Sequence, residues 1–257
     1  MTEPLSLYIH IPFCKSRCNY CDFNTFTGLE SFIPAYLDAL KMELSKTAAS
    51  LEVKNPVHSI YFGGGTPSLL TAEQFQEILN VIQHNYSVTR DAEITIEMNP
   101  GDLETQNARA LRNTGINRVS LGMQSGNNEE LAWMGRRHSV EQVVKTVESL
   151  HAAGFNNLSL DLIFGYPRQT MQIWQESLAK AMSLEPEHLS LYAINIEEET
   201  PLNRQVSRGV CSPLSDDLIS EMYDYGRKTL SDAGYIHYEI SNWSKSAATQ
   251  SRHNMQY

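Results

Sequence analysis

The sequence lacks any apolar stretch approaching the ~18 consecutive residues that a membrane-spanning helix requires. Its first residues, MTEPLSLYIHIPF, also lack a basic segment followed by a long apolar core. Both absences point to a cytoplasmic protein. Positive charge is scarce, with 20 Lys and Arg against 30 Asp and Glu and a net charge of −10, which argues against gripping nucleic acid or anionic lipid by counterion release. Low-complexity segments are missing. With 41% hydrophobic residues and 14 Gly and 10 Pro scattered over 257 positions, the disordered and fibrous classes are excluded. Cysteine is rare, four in all, and Cys14, Cys18 and Cys21 crowd into eight positions while Cys211 stands alone. That is no disulfide framework.

What is present alternates between two periodicities. The run Leu5–Ile11 is short, apolar and closed by Pro12, so it reads as a buried strand that feeds the cysteine segment. His58–Phe62 reads as a second strand, stopped by Gly63-Gly-Gly-Thr-Pro67. Further strands are expected at Ala92–Met98, Arg118–Gly122, Leu158–Ile163 and His188–Ile194. Helices are expected near 103–114, 139–153 and 169–183, and another follows Thr71, where Phe75, Ile78, Leu79 and Ile82 fall at helical spacing. Thr71 with Gln74, and Ser139 with Gln142, have the spacing of a capping box. Gly115, Gly154 and Gly234 each close a helical stretch, as a residue in the left-handed conformation does. Strands alternating with helices imply βαβ units on a parallel sheet, and about six such units bend into an open barrel of the α/β class. Active residues then belong at the C-terminal ends of the strands.

Three thiolates spaced C-x3-C-x2-C can converge on one centre, and soft sulfur ligands select zinc, cuprous copper or iron–sulfur clusters. A zinc site with a fourth ligand at His10 or Cys211 is one reading, although zinc ligands usually come as two pairs. A 4Fe-4S cluster is the other. There three cysteines hold three irons and leave the fourth open to an exogenous ligand. The glycines of 63–65, directly after a strand, let backbone approach a ligand closely and leave amide and carbonyl groups free to bond it, unless they form a plain turn. Polar residues at other strand ends, Glu97, Gln124 and Asp161, together with Arg136, can serve a bound ligand or simply be solvated.

The run Cys14-Lys-Ser-Arg-Cys18-Asn-Tyr-Cys21, with an aromatic before the third cysteine, resembles the cluster signature of radical S-adenosylmethionine (SAM) proteins. The resemblance implies a partial (β/α)6 TIM-like barrel over 1–200 and the start of an incomplete C-terminal α+β domain over 201–257. It also implies a cluster whose open iron takes SAM through its methionyl amine and carboxylate. Gly64, Gly65 and Thr66 then match the glycine motif for the SAM amino group. Glu97 matches a ribose-binding position, Arg136 a partner of the methionyl carboxylate, and Gln124 and Asp161 the remaining polar edges. The order of motifs is similar to the subfamily that contains oxygen-independent coproporphyrinogen III oxidase, in which Tyr8 and Tyr20 also correspond to residues against SAM or the cluster.

Within that subfamily the oxidase branch carries one more cysteine two places after the third, where this chain has Phe23. The chain instead resembles the heme-chaperone branch, which lacks that cysteine and carries an H-N-x-x-Y-W element, here His253-Asn-Met-Gln-Tyr257. This implies heme as a ligand, with His253 as a neutral-imidazole candidate for its iron. It also implies delivery of heme to acceptor proteins such as respiratory ones, transient membrane association through those acceptors, and a homodimer. Ending inside that element, the chain reads as a C-terminally truncated member. The alternative is an enzyme, a radical SAM oxidase that converts propionates of coproporphyrinogen III to vinyl groups. Cys211 matches no motif and reads as a packed thiol.

Overall fold

The computed structural model describes residues 3–53, 55–102 and 105–256. In chain order, β1 (Leu5–Ile11) leads into β2 (Phe13–Cys14), which pairs in parallel with β3 (Phe26–Thr27), and α1 (Ile33–Ser50) follows. Alternating units come next: β4 (Val57–Gly64), α2 (Ala72–Asn85), β5 (Val88–Met98), α3 (Thr105–Asn113), β6 (Arg118–Gln124) and α4 (Asn128–Trp133). They continue through α5 (Val140–Ala152), β7 (Leu158–Phe164), α6 (Met171–Met182) and β8 (His188–Ala193). The chain closes with α7 (Pro201–Ser207), α8 (Asp216–Asp232), β9 (Ile236–Glu239) and β10 (Asn242–Ser244). Every strand expected from the sequence forms. The expected helices form too, the first positions of the one near 103–114 lying outside the described residues.

Local chemistry explains the boundaries. In α2 and α5 the Thr71/Gln74 and Ser139/Gln142 pairs each make both bonds of a capping box, satisfying backbone donors that a helix start leaves free. Gly154, at φ +88°, takes the left-handed turn that ends α5 and turns the chain into β7.

One eight-stranded sheet organises the molecule, in the order β1-β4-β5-β6-β7-β8-β10-β9. The first six strands are parallel and sequential, while β10 and β9 continue the sheet antiparallel. Side chains alternate across it with period two. Ile60, Phe62, Ile96, Val119, Leu121, Leu160 and Leu189 face the helices and are at most 1% exposed. Their neighbours Tyr61, Glu97, Arg118, Ser120, Asp161 and Ser190 line a cavity on the concave side. The first strand follows the same rule: Ile9 and Ile11 are buried in the core, whereas Tyr8 is 48% exposed. It is therefore half-buried rather than wholly buried, because only its even positions are released from the core.

The sheet curls. Residues beyond β10 start beside β8, yet Arg252 bonds to elements on the far side of the sheet. Its backbone N donates to Glu93 Oε1 at 3.0 Å, its Nη1 to the His58 carbonyl at 3.3 Å, and its Nη2 to Asp91 Oδ2 at 3.0 Å. This strap crosses beneath the half-barrel at the N-terminal ends of the strands. Among the described residues, no helix is long and apolar enough to cross a membrane.

Candidate functional site

The cysteine loop hangs from the end of β1 over the strands' C-terminal rim, and several bonds pin it there. Asn19 N donates to the Met134 carbonyl at 3.1 Å, Leu202 N to the Asn19 carbonyl at 2.8 Å, and Tyr166 Oη to Asn19 Oδ1 at 2.9 Å. Below the loop lies a cavity of about 460 Å³ whose walls take in Cys14, Cys18 and Cys21. Of the other residues expected at the site, Tyr20, Gly64, Gly65, Thr66, Glu97, Gln124, Arg136 and Asp161 line the same cavity. Strands distant in sequence from the thiols are thus brought to one mouth, as the fold class requires.

The sulfurs sit among donors. Thr66 Oγ1 donates to Cys14 Sγ at 3.4 Å and Arg136 Nη1 to Cys18 Sγ at 3.4 Å. Burial pushes the Cys21 thiol up, and the neighbouring Cys18 and Cys14 add to that. A bound metal reverses this, since a coordinating thiol is deprotonated outright. Among the described residues no three His, Cys, Asp or Glu side chains gather closely enough for a single ion. The ligands of a cubane each take a different iron and so stand further apart than the ligands of one ion. His10, the first candidate for a fourth zinc ligand, has both ring nitrogens engaged, with Tyr8 Oη at 3.1 Å and the Asn24 carbonyl at 2.9 Å. Cys211, the second, packs in a small apolar cluster with Tyr166 and Leu202.

The glycine stretch is used for close approach. A Cβ on Gly65 would stand 2.7 Å from the Phe13 carbonyl oxygen and 3.0 Å from Cys14 Sγ, so only glycine lets this strand end lie against the cysteine loop. Its amides are not free, contrary to the expectation. Gly65 N donates to Ile11 O and Thr66 N to Phe13 O, both at 2.8 Å, and Gly64 N donates to Glu97 Oε2 at 3.1 Å. These bonds tie β4 to β1, β2 and β5, leaving other groups of the stretch to face a ligand.

Glu97 receives a second bond from Tyr61 Oη at 2.8 Å. Burial pushes its carboxyl up to about 7, the Tyr61 bond opposing and the Asp161 charge adding to the rise. Asp161 is raised by burial as well, although Ser120 Oγ donates to its two oxygens at 2.8 and 3.1 Å. Gln124 ends β6 at φ +65°, a conformation that non-glycine residues keep chiefly where surrounding structure enforces it. Arg136 Nη2 bonds Asn99 Oδ1 and, at 3.1 Å, the Gly122 carbonyl, which fixes the plane of its guanidinium. Burial and that same guanidinium hold His138 down to about 4, so it stays neutral.

Two expected aromatics lie apart from one another. Tyr20 lines the cavity, while Tyr8 stacks on Tyr61 at 6.1 Å toward the floor. His253 is also at the floor, its ring 4.2 Å from Tyr61 and 5.7 Å from Tyr8, and burial lowers its affinity for a proton. Tyr257, also part of that element, lies outside the described residues. Sequence reasoning missed Tyr61, Asn99, Arg118 and Ser120. Alternation within each strand sets Tyr61, Arg118 and Ser120 off from their apolar neighbours, and the register between strands then puts them on the side of Glu97 and Asp161.

An open half-barrel that brings three thiols and a ring of polar strand-end residues to one cavity defines a cofactor-binding scaffold whose chemistry sits at the carboxyl rim. The family model for the Radical SAM superfamily matches residues 8–181, and the chain belongs to that family. The family's cofactors are a 4Fe-4S cluster and SAM. The donor set fits them: thiols flanked by a hydroxyl and a guanidinium, over a backbone cradle that a Cβ would fill. The chain is 37% identical to the heme chaperone HemW of Lactococcus lactis over 100% of its own length and 66% of the relative's. It is 38% identical to HemW of Mycobacterium tuberculosis over 99% of this chain and 66% of that one. Among solved structures, coproporphyrinogen III oxidase HemN of Escherichia coli superposes with a TM-score of 0.85 at 29% identity, over 94% of this chain and 56% of that one. The chain thus spans about two thirds of the curated relatives' length.

Proposed function

We propose that this chain is the cofactor-binding barrel of a cytoplasmic heme chaperone, in which Cys14, Cys18 and Cys21 hold a 4Fe-4S cluster and the cavity wall below them holds SAM. The observation that carries this reading is similarity along this whole chain to about two thirds of proteins named heme chaperones, together with Phe23, 63% exposed at the cavity, where the oxidase pattern has a cysteine. Glu97 accepts the ribose hydroxyls, Arg136 pairs with the methionyl carboxylate beside Cys18, and Gln124 and Asp161 orient the remaining polar edges. Tyr20 packs against the ligands, Tyr8 supports that wall through Tyr61, on which it stacks, and Gly64, Gly65 and Thr66 let the amino group come close. When bound, the cluster supplies one-electron reducing power toward the sulfonium. For heme, His253 offers a neutral imidazole with Tyr61 and Tyr8 as aromatic neighbours, and reaching it requires the strap to leave the floor. Acceptors are heme-requiring proteins, respiratory ones included, met as a homodimer and through transient contact with their membranes; nucleic acid is no partner.

Similarity to the E. coli oxidase supports a second reading, oxidative decarboxylation of coproporphyrinogen III. One experiment separates them. The cluster-loaded protein is given SAM and reductant with either hemin or coproporphyrinogen III, anaerobically. A stoichiometric heme band without formation of protoporphyrinogen supports the chaperone, and multiple turnover to protoporphyrinogen supports the oxidase. Zinc instead of iron and acid-labile sulfide would overturn both.

A further inference from the structure

Arg118 opens β6 on the lumen side of the half-barrel and is 1% exposed. Its Nε has no hydrogen-bond partner, and among the described residues the guanidinium enters no ion pair. A fixed charge held out of water without a partner is costly, and arginine cannot shed its proton to escape that cost. Such a residue needs a reason to be there.

Its surroundings supply one. Arg118 pairs in register with Thr95, two residues before Glu97, and two residues ahead of it Ser120 bonds Asp161. Arg118, Glu97 and Asp161 line one cavity from three adjacent strands. Neither carboxylate has a cationic partner within bonding distance: Glu97 is held by Tyr61 Oη and Gly64 N, Asp161 by the hydroxyls of Ser120 and Ser159. Like charges facing each other in a buried space drive one another toward protonation. Glu97 and Asp161 are both pushed that way by burial, and Arg118 acts in the opposite direction on each.

We infer that Arg118 is a positioning residue for the nucleotide wall, the shared counter-charge set between β5 and β7 that draws Glu97 and Asp161 toward their charged, hydrogen-bond-accepting form. This rests on the proposed reading of those two carboxylates as SAM contacts. Of the other cations in the cavity wall, Arg136 is engaged by Cys18, Asn99 and the Gly122 carbonyl, and Arg17 by the Cys21 carbonyl. Burial keeps Tyr61 of β4 and Tyr192 of β8 neutral by raising both above the ordinary phenol range. On the floor side, burial and Arg118 hold His188 of β8 and His253 of the strap below the ordinary imidazole range, so both stay neutral from pH 7 upward. Tyr238 of β9 is raised by burial. Glu93 is turned to the strap, accepting from Arg252 N at 3.0 Å, while Tyr8 and His10 of β1 bond each other.

The test is SAM affinity of the cluster-loaded protein at pH 7 and pH 8.5. Arg118→Gln is expected to weaken binding at least about tenfold at pH 7 and to recover to within about threefold of wild type at pH 8.5, where the carboxylates lose their protons unaided. Arg118→Lys, which keeps the charge, should stay within about threefold at both values. Iron and sulfide content and the far-ultraviolet spectrum establish that each variant is folded and loaded. If Arg118→Gln does not fold, Arg118→Met, whose unbranched stem fills similar space, must show the same pH-dependent loss. Equal loss at both pH values marks a merely structural role and overturns the inference, as does unchanged affinity. Glu97→Gln and Asp161→Asn are measured alongside. If neither affects SAM binding, the underlying reading of the wall fails. If they do and the Arg118 variants do not, only the role of Arg118 fails.

Discussion

The outer and inner faces of the six parallel strands are made from alternate residues of the same segments, and they do opposite things. Outward, Ile60, Ile96, Val119, Leu160 and Leu189 leave water almost completely against the helices, which is where the hydrophobic contribution to stability arises. Inward, Tyr61, Glu97, Arg118, Ser120 and Asp161 surround a cavity instead of the layers of branched apolar side chains that fill a closed β/α barrel. The difference teaches that this fold is stabilised from outside, which leaves its concave side free to carry polar groups at positions a core would not tolerate.

The sharpest break of that comparison is at the cysteine loop. Replacing Cys14, Cys18 or Cys21 by Ser should abolish the broad visible absorption of a thiolate-bound iron–sulfur cluster, each being one of three protein bonds to it, while far-ultraviolet circular dichroism stays unchanged. Full iron content in all three variants would take the inner face out of cofactor binding. On the outer face, Leu160→Ala should cost about 2–5 kcal/mol in denaturant unfolding, whereas Ser190→Ala, on the inner face, should cost no more than about 1.5 kcal/mol. Comparable losses would erase the distinction between the faces. Arg136→Ala removes a charge-assisted contact and should weaken SAM binding by about 1.5–3 kcal/mol, read by titration calorimetry.

Glu97 sharpens the comparison through pH. Its carboxyl is raised to about 7 in the folded chain, well above its unfolded value, so folding favours the protonated form. Stability of the cofactor-free protein therefore falls as pH rises from the unfolded carboxylate range through 7. Glu97→Gln should melt higher than wild type at pH 8 and match it near pH 4, and a flat difference across that range would contradict the assignment. The smallest effect belongs to the periphery: Ser139→Ala removes half of the α5 capping box and should cost about 1 kcal/mol without altering any ligand.

Much of this was legible in the residues. The capping pairs at Thr71 and Ser139 form as their spacing implies, because caps depend on four consecutive residues. The cysteine triplet is likewise local, and with the glycine run and the order of the strand-end residues it carries the family resemblance. The inner wall was only partly legible. Glu97 and Asp161 stand out beside motifs, but Arg118 begins a strand that looks uniformly buried, and nothing near it in sequence identifies the two carboxylates it faces. The glycine amides were misjudged for a similar reason: their partners, Ile11, Phe13 and Glu97, come from other strands.

By itself the sequence determined the alternation of strands and helices, their caps, and the presence of a three-thiol ligand loop, since periodicity, turn chemistry and ligand spacing act over a few residues. Only the tertiary structure decided which polar side chains share a cavity, how the sheet curls so that Arg252 reaches across to Asp91, and that a buried arginine whose Nε has no partner lines the same cavity as two carboxylates. Those are matters of register and closure between strands, set by packing of the outer face against helices, and no local signal encodes them.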